Sequence, residues 1–249
     1  MREVRRLLPA EDLLYYADSA YCPYGVKAPE VIRTRTAVIC DFLLSRGVKL
    51  IVIACNTASI AALDTMRKCV GVPVVGVEPA VKPAVSATRN GRVGVLATGV
   101  TLAGERFNSL VERFGDGVEV YTQPCPGLVE LVESGGCEKP EAEVLLGRYL
   151  DPLLSRGADT IVLGCTHYPF LRPVVEKLVG DSVSVIDTGE AVARQVVRVL
   201  ESNGLATGEA QAGKECFFTS GEPEEVEPVV RFLWGNPKLT VEQVNLKSQ

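Results

Sequence analysis

Several absences narrow the reading of this chain. There is no Lys/Arg-rich block, and acidic residues outnumber basic ones 31 to 26, for a net charge of −5. A nucleic-acid footprint, which needs a basic patch or stripe, is therefore not expected. No apolar run reaches the roughly 18 residues of a membrane span. The opening Met1-Arg2-Glu3-Val4-Arg5-Arg6 lacks the apolar core of a signal peptide, so a cytoplasmic location is predicted. The eight cysteines (Cys22, Cys40, Cys55, Cys69, Cys125, Cys137, Cys165 and Cys216) include no CxxC pair, which removes zinc-finger spacing. A secreted disulfide scaffold would be shorter and carry an export signal. The cysteines therefore read as reduced thiols, most of them small buried hydrophobes. Histidine is nearly missing, with His167 the only one. No low-complexity linker divides the 249 residues.

What remains is 47% hydrophobic and strongly patterned. Short β-branched runs at Leu13–Ala17, Leu50–Ala54, Pro73–Val77, Arg92–Ala97, Val118–Tyr121, Thr160–Gly164 and Ser182–Ile186 alternate with helical spacing, as in Pro29–Arg46 and Glu141–Arg156. Such alternation predicts an α/β fold built from βαβ units. Runs apolar on both faces suit parallel strands covered by helices on both sides.

An internal repeat carries most of the functional argument. Asp41-Phe42-Leu43-Leu44-Ser45-Arg46-Gly47 leads into Val48–Ala54 and Cys55, and Asp151-Pro152-Leu153-Leu154-Ser155-Arg156-Gly157 leads into Ala158–Gly164 and Cys165. Leu-Leu-Ser-Arg-Gly is identical in both, and each cysteine follows its glycine at the same interval. Each unit reads as helix, glycine stop, buried strand, then cysteine at the strand's C-terminal edge. In open α/β sheets that edge is where ligands bind. Duplication of a whole α/β unit predicts two pseudo-symmetric domains, with equivalent cysteines facing one cleft. Chain crossings are placed near Val77–Pro79 and Asp187–Glu190. Residues 1–77 with 188–249 then form one domain and 78–187 the other.

Each cysteine is followed by polar residues and a predicted helix: Asn56-Thr57-Ala58-Ser59 and Ile60–Arg67 after Cys55, and Thr166-His167-Tyr168-Pro169 after Cys165, with Pro169 suited to a first helical turn. Helix N-termini favour anions. They are expected to lower a thiol pKa from about 8.5 toward neutrality and to accept a substrate carboxylate. Two opposed thiols, one ionised and one protonated, can take a proton from one face of a carbon and return one to the other, inverting the centre. General acid–base catalysis supplies about 10²–10⁴-fold of such a rate, and positioning and electrostatics must supply the rest. His167, two residues after Cys165, is placed to hydrogen-bond or protonate a thiol. Alone, Asp18 reads as a turn former and Glu133 as a solvated helix charge.

These motifs are similar to those of the bacterial glutamate racemase family. The resemblance rests on Ala54-Cys55-Asn56-Thr57-Ala58 and Gly164-Cys165-Thr166-His167-Tyr168-Pro169. It is supported by Asp18–Gly25, Val77-Glu78-Pro79-Ala80, Thr98 and Thr101, Gln123-Pro124-Cys125-Pro126, Ile186-Asp187 and Phe217–Gly221, and it runs over nearly the whole chain. It implies two similar α/β domains with the active site in the cleft between them. The implied reaction is interconversion of L- and D-glutamate without pyridoxal phosphate or metal, with D-glutamate feeding peptidoglycan synthesis. Carried over by position, Cys55 and Cys165 match the two bases, and His167, Asp18 and Glu133 match assisting residues. Ser19, Tyr24, Gly25, Asn56, Thr57, Thr98, Thr101 and Thr166 match substrate-site positions. The family forms homodimers of several kinds.

One departure stands out. The family opens with a strand ending in an Asp-Ser-Gly-rich motif, and this sequence starts inside what reads as the following helix, Arg2–Leu8, so that strand is expected to be missing. Three other readings remain open: racemisation of aspartate or a related acidic amino acid, a shortened glutamate-binding protein without activity, and a metal-binding protein using cysteines and His167. The last is disfavoured because Cys165 and His167 are too close in one turn to supply a tetrahedral set.

Overall fold

The computed structural model describes residues 1–246. In chain order the elements are α1 (Arg2–Leu7), β1 (Leu13–Ala17), α2 (Pro29–Ser45), β2 (Ile51–Ile53), α3 (Asn56–Cys69), β3 (Val74–Gly76), α4 (Val81–Ala87), β4 (Arg92–Ala97), α5 (Gly99–Ala103), α6 (Glu105–Phe114) and β5 (Glu119–Pro124). They continue as α7 (Leu128–Glu133), α8 (Pro140–Ser155), β6 (Thr160–Leu163), α9 (Arg172–Val179), β7 (Ser184–Ile186), α10 (Gly189–Ser202), β8 (Glu215–Thr219), α11 (Pro223–Trp234) and β9 (Val241–Gln243). Every strand pairing among the described residues is parallel. Parallel sheets with helical crossovers are the α/β class that the alternating pattern predicts.

Two compact units emerge. The first holds Met1–Ala54, Ala61–Val77 and the chain from Gly189 onward; the second holds Cys55–Ile60 and Glu78–Thr188. The first unit carries sheets of order β1-β8-β9 and β2-β3. Alternating side chains of β1 and β8 divide between two faces. Tyr15 and Phe217 meet Trp234 of α11, with the Phe217 and Trp234 rings 5.5 Å apart. Tyr16 and Phe218 meet Phe42 of α2 at 5.5 and 5.1 Å. Around β2 and β3, Val52 and Val75 pack with Val4 near the N-terminus and with Val192, Val196 and Leu200 of α10.

The second unit is one sheet of order β5-β4-β6-β7. Val93, Val95 and Ala97 of β4 point into a core with Val81 and Ala84 of α4 and Phe107 and Leu110 of α6, all nearly or fully buried. Gly164, just past β6, donates its N–H to the Leu96 carbonyl at 2.7 Å. A Cβ there would lie 2.8 Å from that same oxygen, so only glycine lets the chain leave the sheet at this point.

The duplicated segments adopt the same local structure. α2 and α8 both end at Ser, the following Arg N–H bonds the Leu three residues back, and Gly47 and Gly157 turn the chain with φ of 76° and 81°. A positive φ is nearly free for glycine alone, and this is why the repeat keeps it. Each strand then runs to its cysteine.

Two expectations need correction. β8 and β9 were not among the expected strands; β8 is exposed at Cys216 and β9 has only three residues. Pro169 does not open an α-helix. It lies in a 3₁₀ turn, Tyr168–Leu171, and α9 starts at Arg172 with Pro173 in its first turn. A proline has no N–H to donate, so Pro173 cannot continue the turn that holds Pro169 and instead sits in the first turn of a new helix, where that donor is not needed.

Two tests follow. Replacing Gly164 with alanine should cost about 1–3 kcal/mol through overpacking against backbone, measured by urea unfolding; an unchanged midpoint would show that β4 and β6 yield freely. Burial pushes the Cys40 thiol of α2 from 9.0 to about 11, with Asp41 adding to the rise. The folded chain then keeps a proton that the unfolded chain releases, so stability falls as pH climbs through that window, by about 2–3 kcal/mol for a shift of this size. Cys40→Ala should flatten the fall between pH 8 and pH 11 under reducing conditions. Equal falls in parent and variant would acquit Cys40.

Candidate active site

The first thiol is set by the end of β2 and the start of α3. The Cys55 carbonyl accepts the first helical bond, from Ser59 N–H at 2.8 Å, and its sulfur accepts the Ala58 N–H at 3.5 Å. Cys55 is therefore the residue that caps α3. The expected lowering of its pKa does not follow. Burial pushes the thiol up, the Ala58 N–H and the positive influence of His167 pull it down, and a charge on Cys165 pushes it up again. Desolvation disfavours the charged form more than a few N–H groups favour it. Cys55, Cys165 and His167 all belong to the second unit.

The second thiol leaves β6 after Gly164 and is 7% exposed. Its sulfur lies 3.8 Å from His167 Nδ1, and His167 Nε2 lies 2.6 Å from Glu133 Oε1 at the end of α7. A carboxylate can only accept, so Nε2 carries the proton donated to Glu133. In the neutral ring Nδ1 is then the lone-pair atom, facing Cys165. Glu133 is thus a fixing group rather than a solvated charge. Thr166 sits half-buried between Cys165 and His167.

Polar side chains gather beside Cys55. Asn56 is 3% exposed, and neither its side-chain nitrogen nor its oxygen has a partner among the described residues. A buried amide left unpaired costs about 1–3 kcal/mol per group, a cost that a polar ligand would remove. Thr57, Thr98 and Thr101 close a triangle of hydroxyls, at 3.1 Å for Thr57 to Thr98, 3.3 Å for Thr57 to Thr101 and 2.9 Å for Thr98 to Thr101. Thr98 caps α5 by accepting the Thr101 N–H. Thr101 is fully buried, so it acts on the other two hydroxyls rather than at a surface.

Asp18, Ser19, Tyr24 and Gly25 belong to the first unit. The Asp18 carboxylate is gripped at both oxygens by Arg35 of α2, at 2.7 and 3.1 Å, and accepts the Tyr24 hydroxyl at 2.5 Å. The Arg35 and Asp18 side chains are 1% and 9% exposed. The Arg35 guanidinium also covers the Tyr21 ring at 3.9 Å. With both oxygens engaged, Asp18 anchors Tyr24. Ser19 opens a 3₁₀ turn, Ser19–Tyr21, and Gly25 lies in the next, Tyr24–Val26. Arg35 is the residue that sequence reasoning missed; within α2 it looks, like Arg33, to be a surface arginine.

A family model described as Asp/Glu/Hydantoin racemase matches residues 1–196. The glutamate racemase of Pseudomonas aeruginosa strain PAO1 is 52% identical over 239 residues, which is 96% of this chain and 90% of that protein. The crystal structure of a glutamate racemase isoform from Bacillus anthracis superposes with a TM-score of 0.89 at 29% identity, over 99% of this chain and 93% of that one. The Escherichia coli glutamate racemase, solved with L-glutamate and the activator UDP-MurNAc-Ala, gives 0.87 at 32% identity, over 98% and 92%. With a strand-end cysteine in each of two repeated segments, a family match over most of its length and relatives this similar, the chain belongs to the Asp/Glu/Hydantoin racemase family.

Proposed function

We propose that this protein is a cofactor-independent glutamate racemase, interconverting L- and D-glutamate with Cys55 and Cys165 as the two bases. The observation that carries the reading is the matched position of two repeat-related thiols at strand ends, one capping α3 and the other facing His167, which Glu133 fixes. In one direction a thiolate takes the Cα proton and becomes a thiol. The other thiol delivers its own proton to the opposite face and becomes the thiolate, so protons balance and the roles swap for the reverse reaction. His167 Nδ1 holds or returns the Cys165 proton, and Glu133 fixes the ring. Asn56 and Thr57, with Thr98 and Thr166, receive a substrate carboxylate beside the α3 N-terminus, whose dipole favours negative charge, and Thr101 serves the same set by holding the Thr57 and Thr98 hydroxyls. Asp18 keeps Tyr24 in place, and the motif resemblance assigns Ser19, Tyr24 and Gly25 to substrate binding.

The biological role that goes with this reading is supply of D-glutamate for peptidoglycan in the cytoplasm, by a homodimer. The domain assignment is residues 1–77 with 188–249, and residues 78–187. Support comes from the motif resemblance and from relatives bearing the glutamate racemase name at about half identity. No helix among the described residues is long and apolar enough to cross a membrane. Light scattering would test the dimer.

Circular dichroism with pure L-glutamate, D-glutamate and L-aspartate tests the activity; turnover of aspartate alone would overturn the substrate. Cys55→Ser and Cys165→Ser should each lower kcat by at least about 10²–10⁴-fold, the contribution of a positioned acid or base. Elimination of a good leaving group from one enantiomer should survive in each, with opposite preference. Native racemisation by either serine variant would remove that cysteine from the mechanism.

The direction of the Cys55 shift is testable without substrate. Thiolate is the alkylated species, and burial holds the proton on. Iodoacetamide labelling of Cys55, followed by peptide mass spectrometry, should still be accelerating above about pH 8.5, the ordinary thiol midpoint. A plateau below pH 8 would mean that the α3 N-terminus outweighs burial.

A further inference from the structure

The Gln123-Pro124-Cys125-Pro126 motif has no task in the chemistry above, yet its third residue is unusually well tied. The Cys125 N–H donates to the Ala97 carbonyl at 3.0 Å, its thiol lies 3.2 Å from the Gln123 carbonyl, and its carbonyl accepts the Tyr168 hydroxyl at 3.3 Å. Cys125 is 3% exposed and Tyr168 is 1% exposed. Burial pushes both groups up, so thiol and phenol stay protonated and able to donate. Cys125 thus joins the end of β4, the end of β5 and the turn that carries Cys165 and His167.

The chain on either side explains what this joint does. Tyr168 directly follows His167. Two residues past Cys125, Gly127 adopts φ of 85° and starts α7, and α7 ends at Glu133. The two members of the His167–Glu133 pair therefore sit on separate segments, and the hydroxyl of Tyr168 on the carbonyl of Cys125 fastens one to the other near the root of each. A 2.6 Å bond between a ring and a carboxylate is kept only if both backbones are held. We infer that Tyr168 is a positioning residue, whose hydroxyl, through the Cys125 carbonyl, holds α7 so that Glu133 keeps His167 aimed at Cys165. The inference rests on the racemase reading for its kinetic consequence but not for its structural one.

Tyr168→Phe keeps the buried ring and removes only the hydroxyl. Racemisation should lose about 10-fold or more in kcat, the scale of a disturbed supporting contact, with KM little changed. The same substitution should lose less than about 2-fold on a Glu133→Gln background, because contacting groups that act as a unit are non-additive. Equal losses on the two backgrounds, or no loss in the parent, would overturn the inference. His167 is the only histidine, so its ring-nitrogen signals in untagged protein can be read without assignment. They should move toward the Glu133→Gln values in Tyr168→Phe; unchanged signals would count against the clasp. This measurement needs no substrate, so it separates failure of the clasp from failure of the racemase reading, which parent protein inactive on glutamate would signal. Should Tyr168→Phe not fold, Gly127→Ala strains the positive-φ turn between Cys125 and α7, with only Leu145 within 4 Å of the added carbon. Its kcat loss should likewise shrink on the Glu133→Gln background, and an additive loss would refute the proposal.

Discussion

A thiol at the end of a buried parallel strand is pulled by two opposing forces. Leaving water penalises its ionised form, while the free N–H groups of the next helix favour it. At Cys55 the first force wins, and the sulfur that caps α3 is held as a thiol. The chemistry proposed here requires one protonated and one ionised sulfur at any moment, so a resting preference for the neutral form is half of what is needed. The other half has to come from charge brought near: His167 already lowers the cost of ionising Cys55, and a substrate ammonium would lower it further. The resting protein is thereby protected from a permanently reactive thiolate.

The two halves of the repeat solve this problem differently. After Cys55 the helix begins at once and supplies backbone donors. After Cys165 two prolines, Pro169 and Pro173, delay α9 until Arg172, and the turn instead offers a side chain, His167, fixed by Glu133. Equivalent sulfurs in equivalent strands thus acquire different partners: a helix end stabilises charge, while an imidazole also carries a proton. That asymmetry follows from sequence differences of a few residues on an otherwise shared frame of helix, left-handed glycine and strand.

How much of this the sequence discloses depends on the range of the interaction. The repeat was legible because Leu-Leu-Ser-Arg-Gly encodes its own local structure, and β1 and β4 matched their apolar runs to the residue. β8 was hidden because the charge of Glu215 leaves only a short apolar run before the polar Thr219-Ser220 end, and β9 because three residues give no period. In the site, adjacency carried Asn56, Thr57, Thr166 and His167 to their cysteines. Nothing local carried Glu133 to His167 across 34 positions, or Arg35 to Asp18 across 17; only motif resemblance pointed to Glu133, and nothing pointed to Arg35. Both are side-chain pairings made by tertiary packing, which spacing along a helix does not encode.

The same distinction separates touching residues from holding residues. Asn56 is buried with its amide unmatched, the signature of a group whose partner comes from outside the fold. Thr101, Cys125 and Asp18 are the opposite: each polar atom described above is already engaged by protein. A group already engaged in the folded state contributes in part through the neighbour it holds. On that criterion Thr101 acts through Thr57 and Thr98, Asp18 through Tyr24, and Cys125 through Tyr168 and the segment leading to Glu133. A substitution at any of these residues should register first in the geometry of the neighbour it holds and only then in the chemistry.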